Sequence, residues 1–246
     1  MGRRQRRARR RAAAGGGDRR ASQPRPDREP ELSDRAAPGD QRHAEEAVAR
    51  AEHELADTGP RFRSHWATWA RALVLEAGGA TEQAFAALAG CWDLCADSGF
   101  AIEYPVLGPD LVRLALASGE RARAEQVAAA VADVAARNDV PSIAGSALRC
   151  RGLVEGDLAL LRSAVDAYAQ GPRPLELALA AEDAGVACAR PGEVDSAVPL
   201  LAQALAGYES LEAGRDTARA EARLRTWGSA VAAGARAGVR RPAGRA

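Results

Sequence analysis

Lysine is absent from all 246 residues, so the basic complement of 34 is entirely arginine. Chemistry that needs a lysine amine goes with it: the P-loop phosphate contact, the pyridoxal Schiff base and the lysine nucleophile. Aromatic residues make up only 4%, and strands lean on aromatic and β-branched side chains. About a quarter of the chain is alanine, the strongest helix former, which excludes a sandwich or barrel in favour of helices packed through small side chains. Apolar runs are broken by charge or glycine well short of the ~18 residues a helix needs to cross a bilayer. No membrane span is expected. The four cysteines, Cys91, Cys95, Cys150 and Cys188, lack secretory disulfide spacing and lie among apolar, helix-like residues, which predicts reduced thiols and a cytoplasmic setting. No Gly-x-Ser-x-Gly elbow, Gly-x-Gly-x-x-Gly turn or Cys-x-x-Cys pair occurs, so the usual anchors of enzyme chemistry are missing. We expect no catalytic activity and no cofactor.

What charge there is lies unevenly. The net charge is +1, yet the first twenty residues hold nine arginines against one aspartate, and Gly228 to Ala246 holds four arginines and no acid. The stretch between carries an excess of about eleven acids, a poor surface for nucleic-acid phosphate. Polyanion contact therefore falls to the ends, with Arg3, Arg4, Arg6, Arg7, Arg9, Arg10 and Arg11 as the candidate nucleic-acid-binding residues. The tract has no interleaved aromatics to stack bases, and it reads equally well as a solubilising tail or a misassigned start. The Ala-Ala-Ala-Gly-Gly-Gly-Asp that follows is too short and too weakly apolar for a signal peptide.

Three segments follow from the pattern. Residues 1–42 carry arginine clusters, glycines and prolines without apolar periodicity; they bury too little to offset ordering entropy and are expected to be disordered. Residues 43–227 are alanine- and leucine-rich helical segments punctuated by Gly78-Gly79, Ser98-Gly99, Ser118-Gly119, Asn138 to Pro141, Gly156, Gly171-Pro172, Pro191-Gly192 and Gly214. Residues 228–246 read as a flexible basic tail. Pro199 is compatible with the last of these helices if Ser196 caps it, which puts the proline in the first turn.

Within the helical segment Gly79, Gly119, Gly156 and Gly192 recur about 36 to 40 residues apart, a helix-turn-helix period. Five residues after each comes Ala84, Ala124, Leu161 or Ala197, and four further on Leu88, Ala128, Val165 or Leu201. Small residues where two helices of a hairpin touch and larger ones where hairpins stack predict an all-α, tetratricopeptide-like solenoid.

Other constellations read as structure. Cys91 and Cys95 share a helix face but lack two further zinc ligands nearby, and read as core. His43, His53 and His65 show no His-x-x-x-His spacing and read as solvated. The pairs Glu45-Glu46 and Glu182-Asp183 also read as solvated faces, since adjacent helical residues point apart. Phe62, Trp66, Trp69 and Trp92 read as core aromatics of the first hairpin.

The stretches Leu148-Arg-Cys-Arg-Gly-Leu-Val-Glu-Gly-Asp157, Ala164-Val-Asp-Ala-Tyr168, Pro174-Leu-Glu-Leu-Ala178 and Glu182-Asp-Ala-Gly-Val186 carry a resemblance, continued by Ala202 to Tyr208 and Arg219 to Arg225. From about His65 to Trp227 the chain resembles the helical-repeat region of LuxR-type large ATP-binding transcriptional regulators. That family places an ATPase module before such repeats and a helix-turn-helix after them. Neither matches here, and the lysine of a Walker motif does not exist in this chain. The resemblance implies a regulatory, partner-facing role, with a protein or peptide in the solenoid groove. A nucleic-acid-associated protein using its arginine tract is the other functional class, and a truncated regulator fragment without independent function is a third reading.

Overall fold

The structure, a computed structural model, describes residues 38–57, 64–189 and 194–239, all within the unit Ser33–Ala246. These residues form ten α-helices and no strand: α1 Pro38–Asp57, α2 Ser64–Ala77, α3 Thr81–Asp97, α4 Tyr104–Ala117, α5 Arg121–Ala135, α6 Pro141–Glu155, α7 Leu158–Tyr168, α8 Pro174–Ala189, α9 Val194–Ser210 and α10 Gly214–Val239. A 3₁₀ turn at Ala101–Glu103 leads into α4. The expected all-helical fold is observed.

The helices stop where glycine lets the backbone turn left-handed. Gly79, Gly99, Gly119 and Gly156 have φ between +68° and +82°, a region that costs any residue with a Cβ. Each closes the same turn: the residue after the glycine donates its N–H back across the helix end, Ala80 to the Leu75 carbonyl at 2.9 Å, Phe100 to Cys95 at 2.8 Å, Glu120 to Ala115 at 2.8 Å and Asp157 to Gly152 at 3.0 Å. At the next start Asp157 accepts from the N–H groups of Ala159 and Leu160, satisfying donors the first turn leaves open. Gly214 departs from this pattern. It opens α10, and Glu212 takes the left-handed position instead, at φ +53°.

The register read from the glycines is the packing register. Ala84, Ala124, Leu161 and Ala197 are buried, as are Leu88, Ala128, Val165 and Leu201. The close approach is visible from the facing helices: a Cβ at Gly152 would sit 2.8 Å from Leu161, and one at Gly185 2.8 Å from Leu201. Each helix packs on its neighbour in sequence, and α4 also packs on α6. One apolar cluster runs from Ala72 to Cys150 and a second from Leu161 to Ala220, with Leu153 packed against both.

Three boundaries move. α1 begins at Pro38 rather than at His43, since Pro38 suits a first helical position and Asp40-Gln41-Arg42 continue the helix. Residues 1–37, including the expected disorder and the arginine tract, lie outside the described residues. α10 runs beyond Trp227 to Val239; the alanines between Ala230 and Ala237 carry the helix through a stretch read as a flexible tail. Pro199 falls in the second turn of α9, which starts at Val194 and not after Ser196.

Candidate functional site

Buried and half-buried charge pairs link even-numbered helices, α2 with α4, α6 with α8 and α8 with α10, as rungs of a ladder. Arg113 on α4 binds Glu76 on α2 through both guanidinium Nη atoms, one of them at 2.9 Å, and reaches back to Asp110 at 3.4 Å. Asp110 accepts from Trp69 Nε1 at 3.0 Å. Arg149 on α6, only 2% exposed, donates Nε–H to Asp183 on α8 at 2.7 Å. Glu182, also 2% exposed, accepts from the Tyr208 hydroxyl at 2.6 Å, Arg219 Nε at 2.8 Å and Arg223 Nη1 at 2.7 Å. Arg215 at the start of α10 donates to the Leu73 carbonyl at 3.3 Å, tying the last helix to α2.

Burial alone raises the Glu182 carboxyl, but the hydrogen bonds and charge of Arg219, the charge of Arg223 and the Tyr208 hydroxyl outweigh it and hold the pKa at about 2. An ionised carboxylate with this many donors is an anchor between helices. The expectation of a solvated Glu182-Asp183 face is therefore overturned. The two side chains do point apart, yet each meets an arginine from another helix. The signal in the sequence was an acid pair inside the otherwise apolar run Leu177 to Ala189, and an arginine, Arg149, inside a stripe that packs.

His65 is likewise buried, contrary to the solvated reading: its Nε2 lies 3.5 Å from Glu103 and its carbonyl accepts the Cys91 thiol at 3.5 Å. His43 and His53 are exposed, as are Glu45 and Glu46. All four cysteines are buried free thiols. Burial pushes Cys91 and Cys150 up to about 12, so they pack as small apolar groups. Among the described residues no group of three or more His, Cys, Asp and Glu is placed to hold a metal ion. Of the aromatics, Trp92 is buried and stacked on Tyr104 with ring centroids 4.1 Å apart. Trp69 is partly buried against the core. Trp66, expected in the core, is 42% exposed, edge-on to Trp69. Phe62 lies outside the described residues.

Trp66 belongs to a pattern that sequence reasoning missed. The large apolar side chains exposed among the described residues are Trp66, Leu94, Phe100, Ile102, Val140 and Leu211. Every one lies where an odd-numbered helix ends or an even-numbered one begins: Trp66 in the first turn of α2, Leu94 in the last turn of α3, and the others in the α3–α4, α5–α6 and α9–α10 connections. The connections between even and odd helices, Gly78–Ala80, Ser118–Glu120 and Gly156–Asp157, expose none. Contacts hold this edge together: His65 reaches Glu103, and Ile102, Val140 and Arg173 from three successive connections line one cleft of about 160 Å³. Pro105, Val106 and Ile143 complete its apolar wall, above Tyr168 and Ser146, whose hydroxyls are 2.8 Å apart. A second hollow of about 310 Å³ shares Val140. The signal available in the sequence was bulky apolar residues inside turn segments, Gly99-Phe-Ala-Ile102 and Asn138-Asp-Val140, where small polar residues would suffice.

No helix of the described residues is long and apolar enough to cross a membrane. The candidate arginines Arg3, Arg4, Arg6, Arg7, Arg9, Arg10 and Arg11 lie outside the described residues. In comparisons with known proteins, no protein-family model matches this chain, and no curated protein or solved structure matches it either.

Proposed function

We propose that this chain is a non-catalytic helical-repeat interaction module, a solenoid of tetratricopeptide-like hairpins that binds a protein partner along one edge. The observation that carries the reading is the gathering of the exposed large apolar side chains of the described residues on that edge. Scattered apolar residues on a surface need no explanation, whereas a grouped set beside a cleft is what an interface core is made of. Neighbour-to-neighbour packing and the recurring glycine turn support the solenoid. The groove expected to hold the partner faces a different constraint, because the side chains that join the even helices are committed to one another. The resemblance to the sensor region of LuxR-type large ATP-binding regulators gives the module a regulatory context.

A photo-crosslinking amino acid placed at Ile102 or Val140, and at Glu120 on the opposite edge, tests this in the native host. Discrete adducts from positions 102 and 140 and none from 120 support the reading. Equal adducts at all three, or none, count against it.

The second reading, a nucleic-acid-associated protein, is favoured by the nine arginines among the first twenty residues. It requires binding that falls steeply with salt and disappears when residues 1–20 are deleted; binding that survives the deletion removes it.

A further inference from the structure

We infer that the partner segment docking on this edge is a basic amphipathic peptide, with bulky apolar anchors flanked by arginine or lysine. This rests on the edge being the interaction surface. The same helix ends that expose the apolar side chains expose acids: Asp97, Asp133, Asp139, Asp166, Glu209 and Glu212. Among the described residues two exposed arginines, Arg137 and Arg173, stand against these six, and Arg173 is held to Glu176 at 3.1 Å. The opposite edge is acidic too, with Glu82, Glu120, Glu125 and Glu155 exposed against Arg121, which is paired to Glu125 at 2.9 Å; what sets the first edge apart is that its acids lie among exposed large apolar side chains. Apolar side chains interleaved with unneutralised acids select a ligand that pairs both features, and the acidic field repels phosphate and acidic peptides.

The form of the site favours a peptide over a small molecule. The cleft of about 160 Å³ is below the ~300 Å³ at which ligand pockets begin, yet it accepts a side chain; the hollow of about 310 Å³ that shares Val140 only just reaches that size. The hydroxyls of Ser146 and Tyr168 beneath it are engaged with each other, and Ser146 with the Pro105 carbonyl at 2.6 Å, so an anchor meets the apolar wall of Ile102, Pro105, Val106, Val140 and Ile143 beside the polar rim of Ser142 and the Arg173–Glu176 pair. Apolar groups on successive connections, Ile102 and then Val140, give a helix or extended segment more than one point of contact.

Selection of a random 16-residue peptide library displayed on phage against the full chain tests the inference. Two variants accompany it: Ile102→Ser with Val140→Ser, and Asp97→Asn with Asp139→Asn and Asp166→Asn. All these positions are exposed, and circular dichroism verifies that both variants keep the helical fold. The expected result is enrichment of peptides that combine excess arginine or lysine with bulky apolar residues, binding at least tenfold more weakly to either variant and losing most of their salt dependence on the second. Enriched peptides that are neutral or acidic, yet still lost with Ile102→Ser and Val140→Ser, would overturn the basic partner while leaving the interaction edge standing. Peptides indifferent to both variants, or no enrichment, would overturn both.

Discussion

Arg149 on α6 and Asp183 on α8 share a hydrogen bond of 2.7 Å, with the arginine side chain 2% exposed and the aspartate 13%. A pair this buried owes its geometry to the fold around it, because both groups have given up water. Removing one partner strands the other charge, while removing both need not cost stability. Asp183→Ala is therefore expected to destabilise the chain by about 3–5 kcal/mol in urea unfolding. Arg149→Met combined with Asp183→Leu should recover most of that loss. A double variant as unstable as the single one would show that the arginine contributes through packing instead.

Glu182 gives the ladder a pH signature. Its carboxyl is held at about 2, below the ordinary 4.5. A lowered folded-state pKa stabilises above the unfolded value and loses that contribution as pH falls through the folded one. The contribution, on the order of 3 kcal/mol, should be complete above about pH 4.5 and decline toward pH 2. Unfolding titrations should show this slope in the native chain and a shallower one in Glu182→Gln, which is also less stable at pH 7.

The glycines of the even helices set how closely hairpins close. A Cβ at Gly185 meets Leu201 at 2.8 Å with the Ala197 carbonyl 3.4 Å away, leaving little room to shift. Gly185→Val should cost about 1–3 kcal/mol through overpacking, despite valine's reduced backbone freedom in the unfolded chain. Thermal unfolding reads the effect directly.

Glu212 does the work of a glycine at φ +53°, where the following N–H of Ala213 closes onto Tyr208 at 3.0 Å. Relief of that strain should make Glu212→Gly more stable by about 1 kcal/mol. The same change at exposed Glu120, where φ is negative, should not stabilise.

Much of this architecture is legible before folding. Of the recurring glycines, Gly79, Gly119 and Gly156 mark turns and Gly192 lies outside the described residues; counting five and nine residues onward from the four finds Ala84 and Leu88, Ala124 and Ala128, Leu161 and Val165, Ala197 and Leu201, all buried. Local rules suffice because both the turn and the helix contact are decided within one hairpin. The ladder is harder to see. Glu182 and Asp183 read as solvated because charge is ordinarily a sign of exposure, and their partners Arg219 and Arg149 lie 37 and 34 residues away. His65 escaped for the same reason, its partner Glu103 sitting in the next connection. The apolar edge was hidden because Phe100, Ile102 and Val140 fall in turns, outside any helical stripe. They form one surface only once alternate helix ends are brought together.

The central claim is that partner binding takes place along this edge. Hydrogen exchange of the full chain, alone and saturated with the best peptide from the display selection, tests it most directly. Slowed exchange confined to the amides around 98–104 and 138–144, at the connections that present Ile102 and Val140, is the predicted result. Protection centred instead on the middles of α2, α4, α6 and α8, with those connections unchanged, would place the partner in the groove and contradict the claim.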